Sequence, residues 1–220
     1  MQKNSISYRK KTNISSEVIM WAVFCLIIAF AVVRVFFAVN YFSVYVIGPS
    51  MEGTLNGAEN KDRAGGDYVY AMRSSSPDRG DIVIIKIDGD EPIIKRVIAL
   101  GGDTVELVSG VLYRNGVEVS EPYVDPKNNT PSDNNFELTT VPEGYMFFLG
   151  DNRDVSVDSR SGKYGMLPVD KTMGVVADWS LTMKGTVTAF NTFFDFTLGL
   201  RTDSKFTGEL QNACGSNGSR

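Results

Sequence analysis

The hydrophobic pattern changes period once along the chain. Residues 18–39 are apolar at every position except Arg34. Wound as a helix, those 22 residues span about 33 Å, enough to cross a hydrocarbon core of about 30 Å. Beyond residue 40 the pattern becomes a series of short β-branched and aromatic runs separated by Gly, Pro, Asn and Asp, the signature of strands and turns. Strands are predicted over 42–47, 67–73, 81–87, 92–100, 104–107, 111–113, 117–119 and 145–149. Asp88-Gly89-Asp90-Glu91-Pro92 closes a hairpin between the third and fourth, and Asn115-Gly116 carries the signal of a type I′ turn. The predicted fold is mainly β, an antiparallel sheet behind one N-terminal transmembrane helix. Residues 56–66 read as a flexible loop, and 125–135, rich in Asn, Pro and Asp, as a mobile one.

Charge orients this layout. Residues 1–17 carry Lys3, Arg9, Lys10 and Lys11 against Glu17, a net +3 that leaves −7 for the rest of a chain totalling −4. A basic tail before a span stays in the cytoplasm, so the domain from residue 40 onward is predicted outside. Arg34 can snorkel to the outer interface, with Tyr41 and Tyr45 in the aromatic belt beyond it. The apolar run is longer than the core of a secretory signal, and no small-x-small site follows before Ser50, so it reads as an uncleaved anchor. The predicted organisation is a basic tail (1–17), a membrane helix (18–39), a β domain (40–180) and a C-terminal extension (181–220). In the extension Val187, Phe190, Phe193, Phe194 and Leu198 recur at helical spacing, which suits core packing or an amphipathic helix on a membrane. Residues 201–220 read as disordered. An acidic ectodomain argues against nucleic acid as a partner. Cys25 lies in the membrane run and Cys214 in the polar tail, so the two cannot pair within one chain.

The chain contains no histidine. That excludes Ser-His-Asp and Cys-His machinery and His-ligated metal sites, and a serine nucleophile here must take a lysine or a carboxylate as base. Gly48-Pro49-Ser50-Met51-Glu52-Gly53-Thr54-Leu55 holds Ser50 in a turn just beyond the membrane run, and Ser50 is the candidate reactive centre. Lys95 is the candidate base. Period-two alternation sets Ile93, Lys95, Val97 and Ala99 on one face and Ile94, Arg96 and Ile98 on the other, so Lys95 stands in an apolar row. To act near pH 7 its pKa must fall by roughly 3 units, about 4 kcal/mol, which burial can supply. The alternative for Lys95 alone is a stem covering apolar surface while the ammonium reaches water.

A third segment, Gly150-Asp151-Asn152-Arg153 with Ser156, Asp158, Ser159 and Arg160, follows the apolar strand 145–149. With Ser50-Met51 and Lys95-Arg96-Val97-Ile98-Ala99-Leu100, in that order and spacing, it resembles bacterial type I signal peptidases over roughly residues 15–180. The likeness is to the short, single-span Gram-positive kind. The resemblance implies Ser50 as nucleophile, Lys95 as general base, Ser156 bonded to the lysine amine, and Asp158 with Arg160 as a supporting ion pair. It also implies the Ser50 backbone N–H as oxyanion donor, the position two before Ser50 being Gly48. Asp158 should face Arg160 rather than Lys95, because a carboxylate beside the amine would raise its pKa again. Gly53 and Gly101 stand where the family usually has proline, and both exchanges are expected to loosen their turns.

The implied activity is removal of N-terminal signal peptides from exported preproteins by a membrane-anchored serine endopeptidase, without metal or organic cofactor. Its partners would be signal peptides and the lipid bilayer. A peptide extended beside Ile93-Ile94 and the strand before Ser50 would set small side chains in shallow pockets, with Val46, Ile93 and Ile94 as candidate walls. Two other readings are a non-catalytic membrane-tethered β module that binds exported peptides and a self-cleaving Ser/Lys repressor-type protease. The second needs a DNA-binding part and a scissile Ala-Gly or Cys-Gly before the serine, whereas Ala64-Gly65 lies after it. A calcium loop at 154–165 lacks its glycine and glutamate, Gly162-Lys163 lacks the upstream glycine of a P-loop, and the one Ser-x-x-Lys match, Ser7 to Lys10, lies in the basic tail.

Overall fold

A computed structural model describes residues 16–60, 65–74 and 76–193. The chain divides into two compact units, 1–40 and 41–220. The first holds α1 (Ser16–Asn40), a 25-residue helix with no buried residue that is long and apolar enough to cross a membrane. Asn40 Nδ2 closes its end on the Phe36 carbonyl at 2.8 Å. Cys25 is exposed on this helix, while Cys214 lies outside the described residues.

The second unit is built on two antiparallel sheets. The strands are β1 (Tyr41–Tyr45), β2 (Tyr68–Met72), β3 (Ile82–Ile85), β4 (Ile93–Leu100), β5 (Thr104–Val108), β6 (Val111–Arg114), β7 (Val117–Glu118), β8 (Phe136–Thr140), β9 (Tyr145–Leu149), β10 (Leu167–Pro168) and β11 (Thr172–Val176). The larger sheet runs β1-β2-β11-β3-β4-β9-β10 and the smaller β7-β6-β5-β8. The apolar runs 81–87, 92–100 and 145–149 become the three inner neighbours β3, β4 and β9, buried along nearly their whole length. Asn115 and Gly116 take φ of 55° and 75°, the left-handed pair that a type I′ turn requires.

The alternation expected along β4 fails at one place. Val97 pairs with Phe148 but Ala99 with Phe147, so Ile98 is the extra residue of a bulge. The bulge returns Ala99 to the side of Ile98. Both then pack with Val105, Leu107, Leu112 and Phe147 beneath the smaller sheet, whereas Val97 packs with Val83, Ile85 and Phe148. A strand that starts in one sheet's core thereby ends by seating the other.

Two further expectations are corrected, those for Tyr45 and for 125–135, while the loop 56–66 and the extension are described in part. Tyr45 is not at a membrane interface: it is buried against Tyr68 with ring centroids 4.6 Å apart, and its hydroxyl accepts the Gly66 amide. The segment 125–135 is tied down rather than mobile. Asp125 caps a 3₁₀ turn at Pro126–Asn128, and Asp154 accepts from the Thr130 amide, the Thr130 hydroxyl and Asn134 Nδ2. The loop 56–66 is pinned at both described ends by Ala58 bridging Ile47 and by the Asp67 amide donating to Asn56. In the extension, α2 (Asp178–Thr182) and α3 (Lys184–Thr192) bury Val187 against Tyr45, Ala58 and Tyr68, while Phe190 and Phe193 are exposed, so the apolar stripe is divided between core and surface. Phe194, Leu198 and the tail 201–220 lie outside the described residues.

Asp103 locks the corner between the two sheets. Its buried carboxylate accepts Arg79 Nε at 2.6 Å and Nη2 at 3.0 Å, the Leu100 amide at 3.0 Å and Asn115 Nδ2 at 2.9 Å. Burial alone would raise its pKa, but these donors outweigh it and hold the carboxyl at about 2, below the ordinary 3.8. A depressed carboxylate stabilises the fold fully above its unfolded pKa, and the contribution fades as pH falls toward the folded value. Asp103→Ala is therefore expected to cost about 2 kcal/mol at pH 7, with the gap to wild type closing between about pH 4 and pH 2, measured by urea unfolding of the full chain in detergent.

Candidate active site

Ser50 sits on a turn anchored from below. Met51 and Leu55 are fully buried in the cluster that contains Val46, Val69, Ile84 and Ile94, which leaves Ser50 half-buried at the surface. The Glu52 amide donates to the Pro49 carbonyl, and the Thr54 and Leu55 amides both donate to Met51. Gly53 takes φ of +107°, a value closed to proline, and a Cβ there would come within 3.0 Å of the Tyr123 carbonyl. Glycine is thus required by this turn, and the expected loosening is replaced by a specific conformation. Gly101 is likewise filled in, since a Cβ would lie 2.9 Å from Glu143 Cα and 3.0 Å from the Pro142 carbonyl.

Strand β4 brings Lys95 to this turn. Lys95 is 4% exposed, and its amine lies 2.8 Å from Ser50 Oγ and donates to the Ile94 carbonyl at 3.0 Å. Burial pushes its pKa down to about 8, against a smaller upward pull from Asp158 and Asp151. Snorkelling to water, the alternative weighed for Lys95, does not occur.

Both carboxylates are engaged elsewhere. Asp151 grips Arg96 through Nε at 2.9 Å and Nη2 at 2.6 Å and accepts the Thr54 hydroxyl at 2.6 Å. Arg96 also stacks over the Tyr123 ring at 3.9 Å. Asp158 receives Arg160 through Nε and Nη2, each at 2.9 Å, and the Gly150 amide at 3.1 Å. Arg160 reaches on to the Arg153 carbonyl and to Asn134, so the segment 125–135 buttresses the ion pair. Sequence pattern alone assigns no role to Arg96, Asp151, Thr54, Tyr123 or Asn134. The only local hint was a second buried cation next to Lys95, and its partner is 55 residues away.

Two expected placements change. Ser156 does not bond the lysine: its hydroxyl is buried without a hydrogen-bond partner, while the amine meets Ser50 and the Ile94 carbonyl. The serine instead crowds Gly150, where a Cβ would lie 2.3 Å from Ser156 Oγ and 2.4 Å from the Ser50 carbonyl. Any larger residue at 150 would drive the two site loops apart. Val46 and Ile94 share one cluster, but Ile93 packs in another with Val83, Ile85 and Val97, so the three candidate pocket walls are not together. The Ser50 carbonyl accepts the Asn152 amide at 3.1 Å, whereas the Ser50 amide has no acceptor among the described residues. Among the described residues no group of acidic or thiol side chains gathers in a metal-binding arrangement.

A model of the family described as signal peptidase, peptidase S26, matches residues 15–179. Signal peptidase I of Bacillus licheniformis is 36% identical over 167 residues, covering 70% of this chain and 83% of the relative. Signal peptidase IB of Staphylococcus aureus (strain COL) is 30% identical over 183 residues, covering 73% and 88%. A solved signal peptidase I from Enterococcus faecalis V583 is 35% identical, with 46% of this chain and 97% of that one aligned at a TM-score of 0.41. Matched over residues 15–179, the chain belongs to the signal peptidase family, peptidase S26.

Proposed function

We propose that this signal peptidase cuts N-terminal signal peptides from exported preproteins with Ser50 as nucleophile and Lys95 as general base, on a domain tethered by α1 with its N-terminus in the cytoplasm. The observation that carries the reading is the buried amine 2.8 Å from Ser50 Oγ, drawn down to a pKa of about 8. At pH 7 roughly a tenth of the molecules then hold a neutral amine, against fewer than about one in a thousand for a free lysine. A neutral amine has one lone pair, directed at the serine hydroxyl, while one N–H is occupied by Ile94.

The chemistry follows from those contacts. Ser50 Oγ attacks the scissile carbonyl carbon as its proton passes to Lys95 Nζ. The negative charge that develops on the carbonyl oxygen is met by the unengaged Ser50 amide. Collapse breaks the C–N bond, and Lys95 returns the proton to the leaving amine, the new N-terminus of the mature protein. Lys95 then takes a proton from water, which attacks the acyl ester, and gives it back to Ser50 Oγ. Asp158 with Arg160, and Asp151 with Arg96, keep negative charge paired, so that the amine gives up its proton more readily than a free lysine. Substrate would lie extended along β4 at Ile93–Lys95, where β9 does not reach because its pairing starts at Arg96. Val46 and Ile94, which share the core cluster beneath the Ser50 turn, are the wall residues this reading keeps. The bilayer fits α1 as a partner, and the acidic domain gives nucleic acid no basic surface.

Cleavage of a preprotein by full-length protein in detergent tests the assignment. Ser50→Ala, Lys95→Ala and Lys95→Arg are each expected to lower kcat by about a thousandfold or more, since arginine cannot deprotonate. Equal processing by wild type and variants would leave only the peptide-binding module. For wild type, kcat/KM should rise with pH along a limb of apparent pKa about 8, set by the Lys95 shift.

The same shift predicts a stability signature. Below pH 8 both folded and unfolded Lys95 are charged, and the fold bears the full cost of burying the charge. Between pH 8 and 10.5 only the unfolded chain holds the proton, so rising pH stabilises the fold. Lys95→Met should therefore be more stable than wild type at pH 7 by about 3 kcal/mol, an advantage that shrinks as pH climbs toward 10.5, read by thermal unfolding across that range.

A further inference from the structure

Residues after 179 lie beyond the match to the family, yet they contact the serine-bearing turn. Lys184, the first residue of α3, donates from Nζ to the Thr54 carbonyl at 2.7 Å and lies 3.4 Å from Asp67 Oδ2. The same Asp67 oxygen accepts the Asn56 amide at 2.8 Å, while the Asp67 amide donates back to the Asn56 carbonyl. One ammonium thus ties together the last residues of the turn and the segment that leads into β2. The opposite side of the turn is held by the site loop, through the Asn152 amide on the Ser50 carbonyl and Asp151 on the Thr54 hydroxyl. Thr54 is consequently gripped from two directions, its hydroxyl by catalytic-loop carboxylate and its carbonyl by the extension.

Lys184 is itself delivered by a rigid seat. Strand β11 leaves β2 after Val176 pairs with Ala71, so the β2 amides at Tyr70 and Tyr68 need other acceptors. Ser180 Oγ takes the Tyr70 amide at 2.7 Å and Thr188 Oγ1 takes the Tyr68 amide at 2.8 Å. Val187 is buried with Tyr45, Ala58 and Tyr68. The two short helices therefore replace a missing stretch of strand along β2, and Lys184 projects from between their anchors onto the turn.

We infer that Lys184 is a positioning residue for catalysis: by holding the Thr54 carbonyl it fixes the distance of Ser50 Oγ from Lys95 Nζ, and so makes the C-terminal extension a working part of the active site. The inference rests on the Ser50/Lys95 reading above. Lys184 touches neither reacting atom, so its removal acts through the geometry of the turn. Small misplacements of a nucleophile lower the chemical step far more than substrate binding.

The test is steady-state cleavage of a peptide with an Ala-x-Ala site by full-length wild type, Lys184→Met, Lys184→Arg and Thr188→Val in detergent, with thermal unfolding of each. Lys184→Met is expected to lose about tenfold in kcat at unchanged KM, with Tm within about two degrees of wild type. Lys184→Arg, which can still donate to Thr54 and Asp67, should recover most of the rate. Thr188→Val loosens the seat that presents Lys184 and should lower both Tm and part of kcat. Wild-type kcat in Lys184→Met overturns the inference, as does a loss of rate in Lys184→Met that comes with a matching loss of Tm or that arginine fails to restore. Ser50→Ala run alongside separates the two levels: activity undiminished by that change defeats the dyad itself, whereas a dead Ser50→Ala beside a fully active Lys184→Met defeats only the role of the extension.

Discussion

The proposed Ser50/Lys95 dyad depends on how readily one amine among carboxylates gives up its proton. Asp151 and Asp158 are both fully buried and both raise the proton affinity of Lys95. Left unpaired, either would hold the lysine protonated and leave Ser50 without a base. The chain answers with two arginines in bidentate geometry, Arg96 on Asp151 and Arg160 on Asp158. A guanidinium suits this task because it does not give up its proton, and its fork satisfies both oxygens of a carboxylate at once. Burial then outweighs the carboxylates at Lys95 and sets its pKa at about 8, so that a working fraction of neutral amine exists near pH 7.

The sheets exist, from the standpoint of the site, to bring three distant segments to one place. Strand β4 carries Lys95 and Arg96 side by side, pairing the first opposite Val83 and the second opposite Ile82 and Leu149. The end of β9 leads directly into Gly150, whose missing side chain lets the Ser50 carbonyl and Ser156 approach. The bulge at Ile98 turns the far half of β4 toward the smaller sheet, and Asp103 fastens that corner to Arg79 and Asn115. Lys95 is therefore held in the half of the strand before the bulge, and the smaller sheet is seated by the half after it.

The features readable in advance were those written in local pattern. The apolar runs gave β3, β4 and β9, Asn115-Gly116 gave its turn, and the absence of histidine narrowed a serine enzyme to lysine or a carboxylate as base. Strand β8 was missed because Phe136–Thr140 is mostly exposed and carries only a weak apolar alternation, and β10 because two residues, one of them proline, do not form a recognisable run. The ordered state of 125–135 was hidden for another reason. Its polar composition signals a loop, but the groups that hold it, Asp154 and Arg160, lie about twenty or more residues further on. The bond expected between Ser156 and Lys95 is absent while the amine meets the Ile94 carbonyl, and no sequence pattern reports which carbonyl a buried amine will find.

The serine turn shows why such long-range contacts matter to a dyad more than to a triad. In a triad the base is itself oriented by a third side chain, so part of the alignment is carried by the base. Lys95 has a long flexible stem and only the Ile94 carbonyl besides Ser50 to orient its amine. Alignment must then come from the backbone on which the nucleophile is mounted. Met51 and Leu55 fix the height of the turn through burial, but apolar contacts are non-directional and do not set its rotation. Rotation is set by directional bonds at its ends: Asn152 to the Ser50 carbonyl, Asp151 to the Thr54 hydroxyl, and Lys184 to the Thr54 carbonyl. The first two belong to the loop that also manages the charge around Lys95, which couples the position of the nucleophile to the protonation of its base. The third comes from outside the matched family segment, so the turn is held from a side on which the catalytic motifs supply no hydrogen bond to the Thr54 carbonyl.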